Sequence, residues 1–316
     1  MRVIVANPRG FCAGVERAIA SVERALELHG PPVYVRHEIV HNRHVVDALR
    51  RRGAVFVEEL DQVPTGALVL FSAHGVAPAV WAQAQARGLR VIDATCPLVT
   101  KVHLEVAGHA RAGRTVFLIG HRDHAEVQGT YGHYRGAGRI EVIENEREAA
   151  AAAVEPGTPA AYVTQTTLSL DDTAQTVAAL RARLPQLAGP HKDDICYATQ
   201  NRQRAVRELA HRCAVVVVVG AAHSSNSQRL REVAQAAGAC AYLVDCAEAV
   251  DRRWFDGCAA IGVTSGASVP EELVRQLLQR LRRWWPQLVE ESIGAPETVH
   301  FRLPRELNEA ALHAGE

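Results

Sequence analysis

The sequence has a single methionine, only 5% aromatic residues and no net charge, with 35 Lys and Arg against 35 Asp and Glu. That balance removes the global attraction to nucleic acid or to a membrane surface that a strongly basic chain carries. No stretch approaches the roughly 18 consecutive apolar residues of a membrane-crossing helix. The apolar stretch within Arg2–Ala6 is too short for a secretory signal and runs at once into Asn7-Pro8-Arg9-Gly10. The expected compartment is therefore the cytoplasm. No Cys-x-x-Cys pair occurs, so zinc-ribbon and ferredoxin spacings are both excluded. What the chain does have is a 48% hydrophobic content sufficient for a real core, 15 histidines and seven cysteines. In a reducing compartment such cysteines are core residues, metal ligands or nucleophiles.

The chain repeats itself three times. A strand pattern leads into each of three cysteines: Arg2–Ala6 before Cys12, residues 90–94 before Cys96, and a shorter pattern over 192–195 before Cys196. A helical pattern follows each, as in Val15, Ala18, Ile19, Val22 and Leu26. Each helix runs into a strand that ends in a histidine-bearing loop. His37 follows Cys12 at the interval at which His121 follows Cys96, and His223 follows Cys196 two residues later than that. Further strands at 54–57, 140–143 and 241–244 end in acidic residues. Each unit closes with a polar loop: Ser72-Ala73-His74-Gly75, Thr164-Gln165-Thr166-Thr167, and Thr264-Ser265-Gly266-Ala267-Ser268.

Strands alternating with helices predict parallel α/β sheets, here in three lobes. The expected boundaries are 1–96, 97–193 and 194–283, followed by a tail over 284–316 with a strand-like stretch at 299–303. The order of elements predicts that Arg2–Ala6 pairs with the third lobe. In open parallel sheets the loops beyond the strand C-termini carry the site, and all three cysteines and polar loops fall there.

Cys213, Cys240, Cys246 and Cys258 lie in or beside apolar stretches and at a strand end, and are expected to be structural. Cys12, Cys96 and Cys196 stand at strand-to-helix junctions, where a helix N-terminus stabilises a thiolate. Pro97 sits at an expected first helical position. Three thiolates, one per repeat, suit a three-ligand zinc site or an iron–sulfur cluster lacking a fourth cysteine. Each leaves an open coordination position. The soft donor set leans toward iron–sulfur.

The loops bring together His37, His41, His74, His121, His124, Thr167, His223, Ser224, Ser225, Asn226 and Ser268. Neutral donors of this kind at helix N-termini form an anion-binding set suited to a diphosphate. A lone loop histidine is ordinarily a solvated or capping residue, but recurrence in three units argues for shared use. Glu126, two residues after His124, is a candidate proton carrier.

At these residues the chain resembles the LytB family of 4-hydroxy-3-methylbut-2-enyl diphosphate reductases, which act last in the non-mevalonate isoprenoid pathway. The strings that carry the likeness are Asn7-Pro8-Arg9-Gly10-Phe11-Cys12-Ala13-Gly14, Phe71-Ser72-Ala73-His74-Gly75-Val76 and Asp93-Ala94-Thr95-Cys96-Pro97. Others are Val40-His41-Asn42, Thr164-Gln165-Thr166-Thr167-Leu168-Ser169, Asp193-Asp194-Ile195-Cys196-Tyr197-Ala198-Thr199 and Ser224-Ser225-Asn226-Ser227.

The resemblance implies a trefoil of three pseudo-symmetric α/β lobes around one central [4Fe–4S] cluster. Cys12, Cys96 and Cys196 would hold it, leaving one iron without a protein ligand to take the substrate hydroxyl. His41, His74, His124, Ser224, Ser225, Asn226 and Ser268 would bind the diphosphate of the allylic substrate. Thr167 and Glu126 would contact its hydroxyl, with Glu126 delivering protons. Ferredoxin or flavodoxin would supply the electrons, and isopentenyl and dimethylallyl diphosphate would be the products. Two positions depart from the family pattern. Ala125 stands where proline is usual, which predicts a looser loop, and Ser265 stands where alanine is common. Read from the residues alone, a zinc hydrolase of phosphorylated substrates and a non-catalytic redox sensor are the competing readings.

Overall fold

The computed structural model describes residues 1–153 and 157–308. In chain order the elements are β1 (Arg2–Ala6), α1 (Ala13–His29), β2 (Val33–Arg36), α2 (Arg43–Arg51), β3 (Ala54–Val57), β4 (Leu68–Phe71), α3 (Pro78–Ala86), β5 (Arg90–Asp93) and α4 (Pro97–Arg111). They continue with β6 (Thr115–Ile119), α5 (Ala125–Tyr131), β7 (Ile140–Ile143), α6 (Glu146–Ala151), β8 (Ala160–Thr164), α7 (Leu170–Arg183) and α8 (Tyr197–Arg212). The last are β9 (Val215–Val219), α9 (Ser225–Ala236), β10 (Cys240–Val244), β11 (Ala260–Ser265), α10 (Glu271–Trp284) and β12 (Val289–Ile293).

Three sheets form, with strand orders β3-β2-β4-β5, β7-β6-β8 and β10-β9-β11-β1-β12. Every ladder among them is parallel. The described chain divides into two compact units.

The first unit comprises residues 1–15, 41–45 and 197–299. Its sheet has β1 between β11 and β12, with Val3 opposite Ile261 on one side and Glu290 on the other. Strand β9 is five consecutive valines, all buried. Such a run has no polar face and suits only a strand covered on both sides. One cover is α10, whose Leu273, Val274, Leu277, Leu278 and Leu281 recur at helical spacing and are all buried against this sheet. The other is α8 with α9, through Val206, Leu209, Leu230 and Val233. Burying each such side chain contributes roughly 1.5–3 kcal/mol.

The second unit comprises residues 16–40, 46–196 and 300–316 as far as they are described. It holds the other two sheets. Strand β6 is wholly buried, with Phe117 and Ile119 packed toward α7 and Val116 and Leu118 toward α4 and α5.

Three local expectations are corrected. Residues 192–195 form no strand. The polar side chain of Asp194 is instead turned inward, where it accepts from Thr164 N–H at 2.9 Å and Lys101 Nζ at 2.7 Å. In that sheet the fourth-strand place holds only an isolated bridge from Ala161 to Ala188. Residues 299–303 are also irregular, and the strand of the tail is β12, a charged segment that borders β1. The end of the tail expected over 284–316 lies outside the described residues. Cys213 is buried as expected, but Cys240 is exposed at the first position of edge strand β10, and Cys246 and Cys258 are half-buried. No helix of the described residues is long and apolar enough to cross a membrane.

Candidate active site

The three repeats share one hydrogen bond. Cys12 N–H donates to Ala267 O at 3.1 Å, Cys96 N–H to Ala73 O at 3.0 Å, and Cys196 N–H to Thr166 O at 3.1 Å. In each case the acceptor lies in the polar loop that leaves a strand of the same unit: β11, β4 and β8 respectively. Each cysteine is therefore fixed at the C-terminal edge of a parallel sheet, one residue before a helix. All three are half-buried, and none is in a disulfide. Burial pushes the Cys12 thiol up, while the Arg202 guanidinium and the N–H groups of Val15 and Gly14 at the start of α1 pull it down. A sulfur in this setting is held as a thiolate most readily by a soft metal. Each of the three sulfurs, taken by itself, thus suits a thiolate ligand of a soft metal.

In the second unit, one chain of contacts joins most of the expected residues. The His74 and His124 rings meet edge to face with centroids 5.7 Å apart. His74 Nδ1 lies 3.1 Å from Ser72 Oγ. His124 is the N-cap of α5, its Nδ1 accepting from Glu126 N–H at 3.2 Å. That bond places the imidazole proton on Nε2, making the outer nitrogen a donor. Ala125, the first residue of α5, follows this cap directly.

Glu126 is buried, at 3% exposure. Its carboxylate accepts from Thr166 N–H at 2.6 Å and Thr166 Oγ1 at 3.0 Å. Burial pushes its carboxyl up to about 7, against the opposing pull of the two Thr166 donors. A carboxyl balanced near neutrality can both hold and release a proton at working pH. Thr167 Oγ1 accepts from Gln165 Nε2 at 2.9 Å. The residue that grips Glu126 is thus Thr166, and its carbonyl also receives Cys196. It stands in the expected Thr164–Thr167 string, but nothing in the string distinguishes its role. The segment before Cys196 is clamped by Asp194, whose neighbour Glu105 is raised to about 7 by burial and by the Asp194 charge.

In the first unit, the loop after β11 gathers the remaining residues. Asn226 Oδ1 accepts from Ala267 N–H at 2.8 Å, and Ser268 Oγ donates to His41 O at 3.1 Å. Ser224 caps α9, accepting from Ser227 N–H at 3.4 Å, and Ser225 is the first residue of that helix. The His41 and His223 rings meet edge to face at 5.4 Å. Asn226 Nδ2 is buried with no hydrogen-bond partner among the described residues. An orphaned donor at a helix N-terminus lined with hydroxyls is suited to an anion.

Sequence reasoning missed Arg202. This side chain is fully buried on α8 and donates to Gly10 O at 2.9 Å and to Glu297 at 2.9 Å. Its signal was an arginine among the apolar positions Ala198, Ala205 and Val206. Ser265, the second departure, accepts from Gly10 N–H at 2.8 Å. Gly10 has φ +69°, so the arm that carries Cys12 is held on both sides of a left-handed residue.

The sequence matches the family model described as LytB protein over residues 3–282. The chain is 59% identical over 309 residues to the 4-hydroxy-3-methylbut-2-enyl diphosphate reductase of Acinetobacter baylyi, covering 97% of this chain and 98% of that one. It is also 59% identical to the enzyme of the same name from Azotobacter vinelandii, with the same coverage. Among solved structures, the E-1-hydroxy-2-methyl-but-2-enyl-4-diphosphate reductase of Plasmodium falciparum superposes with a TM-score of 0.93 at 35% identity, covering 100% of this chain and 99% of that one. A second structure, titled as the terminal enzyme of the non-mevalonate pathway, superposes at 0.64 with 31% identity, covering 90% of this chain and 100% of that one.

Proposed function

The chain belongs to the LytB family, and on that premise we propose that it is an iron–sulfur oxidoreductase that converts 4-hydroxy-3-methylbut-2-enyl diphosphate to isopentenyl and dimethylallyl diphosphate. Cys12, Cys96 and Cys196 are the ligands of one [4Fe–4S] cluster, leaving one iron without a protein donor. When bound, the cluster supplies single electrons and a Lewis-acidic iron. Ferredoxin or flavodoxin is the external electron source, and the reaction runs in the cytoplasm.

The residues of the chain bind the substrate and move its protons. Ser224, Ser225, Asn226, Ser268 and His41 hold the diphosphate with His74 and His124, the orphaned Asn226 Nδ2 and the His124 Nε2–H being donors of the required kind. Anchoring this remote group orients the hydroxyl end. The reaction consumes two electrons and two protons: the allylic C–O bond breaks, the hydroxyl departs as water, and one carbon of the allyl unit gains a hydrogen. Glu126 delivers protons, with Thr167 beside the hydroxyl.

The observation that supports this reading best is the Glu126 carboxyl, buried, raised to about 7 and held by Thr166, the same residue that receives Cys196. The test is anaerobic turnover with reduced methyl viologen, alongside iron and acid-labile sulfide assays. Glu126→Gln is expected to keep the cluster and lose turnover by about 100-fold or more. Normal turnover in that variant removes Glu126 as the donor. Wild-type protein that takes up neither iron nor sulfide on reconstitution rejects the reading.

A further inference from the structure

His103 and His133 lie outside every role assigned above. Their rings stack face to face, with centroids 3.9 Å apart and planes 19° from parallel. His103, on α4, is 6% exposed, and its Nε2 has no hydrogen-bond partner among the described residues. His133 lies just past α5, and its Nδ1 meets Gly129 O at 2.9 Å, so Nδ1 carries the proton. The pair is locked in by two glycines. A Cβ on Gly75, which has φ +76°, would stand 2.5 Å from His103 Cε1, and one on Gly129 would stand 3.2 Å from Gly75 O.

Three elements therefore meet at this stack. They are the loop that carries His74, helix α4 that starts at Cys96, and helix α5 that starts at His124 and Glu126. The far end of α5 is seated here, one short helix away from its functional end.

We propose that His103 and His133 are positioning residues for Glu126 and His124, and that they seat α5 only as an uncharged stack. A proton on either ring sets a charge in a buried site, where its desolvation opposes the seat, and a second sets two like charges against each other. Burial holds both histidines below their ordinary pKa, His103 to about 3, with the His133 charge adding to the effect on His103 and that of Arg135 to the effect on His133. The bond to Gly129 O and the Asp93 charge act oppositely on His133. His133, only half-buried, is the first to charge as pH falls.

The inference rests on the assignment of proton delivery to Glu126, so its test uses a readout that does not need turnover. Hydrogen exchange of the α5 segment is measured on the holoenzyme from about pH 7.5 to about pH 5.5 and corrected for intrinsic rates. Exchange in the wild type is expected to rise on the order of tenfold at the acid end. In His133→Gln the amide N–H can still donate to Gly129 O but carries no charge, so exchange is expected to stay flat. The acid limb of kcat, rather than KM, shifts down in this variant. Wild-type exchange indifferent to pH, or a variant that responds like the wild type, overturns the proposal. So does an exchange response that kcat does not follow. Failure of the Glu126 reading shows instead as full turnover in Glu126→Gln, with the exchange response intact.

Discussion

Thr166 gives Glu126 both of its donors: the backbone N–H at 2.6 Å and the hydroxyl at 3.0 Å reach the two oxygens of one carboxylate. Both bonds favour the ionised form, yet burial outweighs them and leaves the carboxyl near 7. Thr166→Val removes the hydroxyl bond and keeps the backbone bond. Glu126 then rises further, and the alkaline limb of turnover moves up by about one pH unit. A pH–rate profile with that limb unmoved would show that Thr166 does not set the titration of Glu126.

The same carboxyl makes folding stability depend on pH. Its pKa is about 7 in the folded chain against 4.5 unperturbed, so between these values the folded state keeps a proton that the unfolded state has lost. Stability therefore falls as pH rises through this window, by up to about 3 kcal/mol once both forms are ionised. Glu126→Gln abolishes this dependence. Matched melting curves should show the variant gaining on the wild type between about pH 5.5 and about pH 8.5. A constant difference would contradict the assignment.

His124 has two separable duties. His124→Ala loses the cap on α5, at about 1 kcal/mol, together with the imidazole donor. His124→Asn restores a capping oxygen but not the outer N–H. Denaturant titration should find Asn close to wild type and Ala destabilised, while both raise KM. Equal KM in Asn and wild type would remove His124 from diphosphate binding.

The Cys12 arm can be loosened in two steps. Ser265→Ala leaves the buried Gly10 N–H without its acceptor, costing about 1–3 kcal/mol. Arg202→Met leaves Gly10 O without its donor and Glu297 with only the Asn201 amide, costing about 3–5 kcal/mol. Iron loss in air, followed by absorbance, is expected to accelerate in that order. Clusters as durable as wild type in both variants would detach Gly10 from the holding of Cys12.

Much of this arrangement is legible in one sequence, for identifiable reasons. The valine run of β9 and the heptad-like leucines of α10 announce burial by composition and spacing alone. The recurrence of cysteine, histidine loop and polar loop marks the loops that receive Cys12, Cys96 and Cys196, because strand ends recur where the chain reverses. Partners across the fold are another matter. That Thr166 rather than Thr167 grips Glu126 depends on which side of the backbone each hydroxyl takes, and no spacing encodes it. Strand β12 was hidden by its own glutamates: Val289-Glu290-Glu291-Ser292 reads as loop, and only the open edge of β1 makes a strand of it. The exposure of Cys240 follows from β10 being an edge strand, a property of sheet order and not of local composition.

Strand β1 is the first element of the chain, yet it lies inside its sheet, between β11 and β12. Both of its neighbours are made roughly 250 residues later, about 12 to 50 seconds at ordinary rates of synthesis. Throughout that time Val3, Ile4 and Val5 have no ladder to join. The two sheets of the second unit, whose strands all lie between Val33 and Thr164, can close while β1 still waits. A newborn chain therefore carries an adhesive apolar segment, Val3 to Val5, ahead of folded sheets. Its yield in the cell depends on how well that segment is shielded until β11 and β12 emerge from the ribosome.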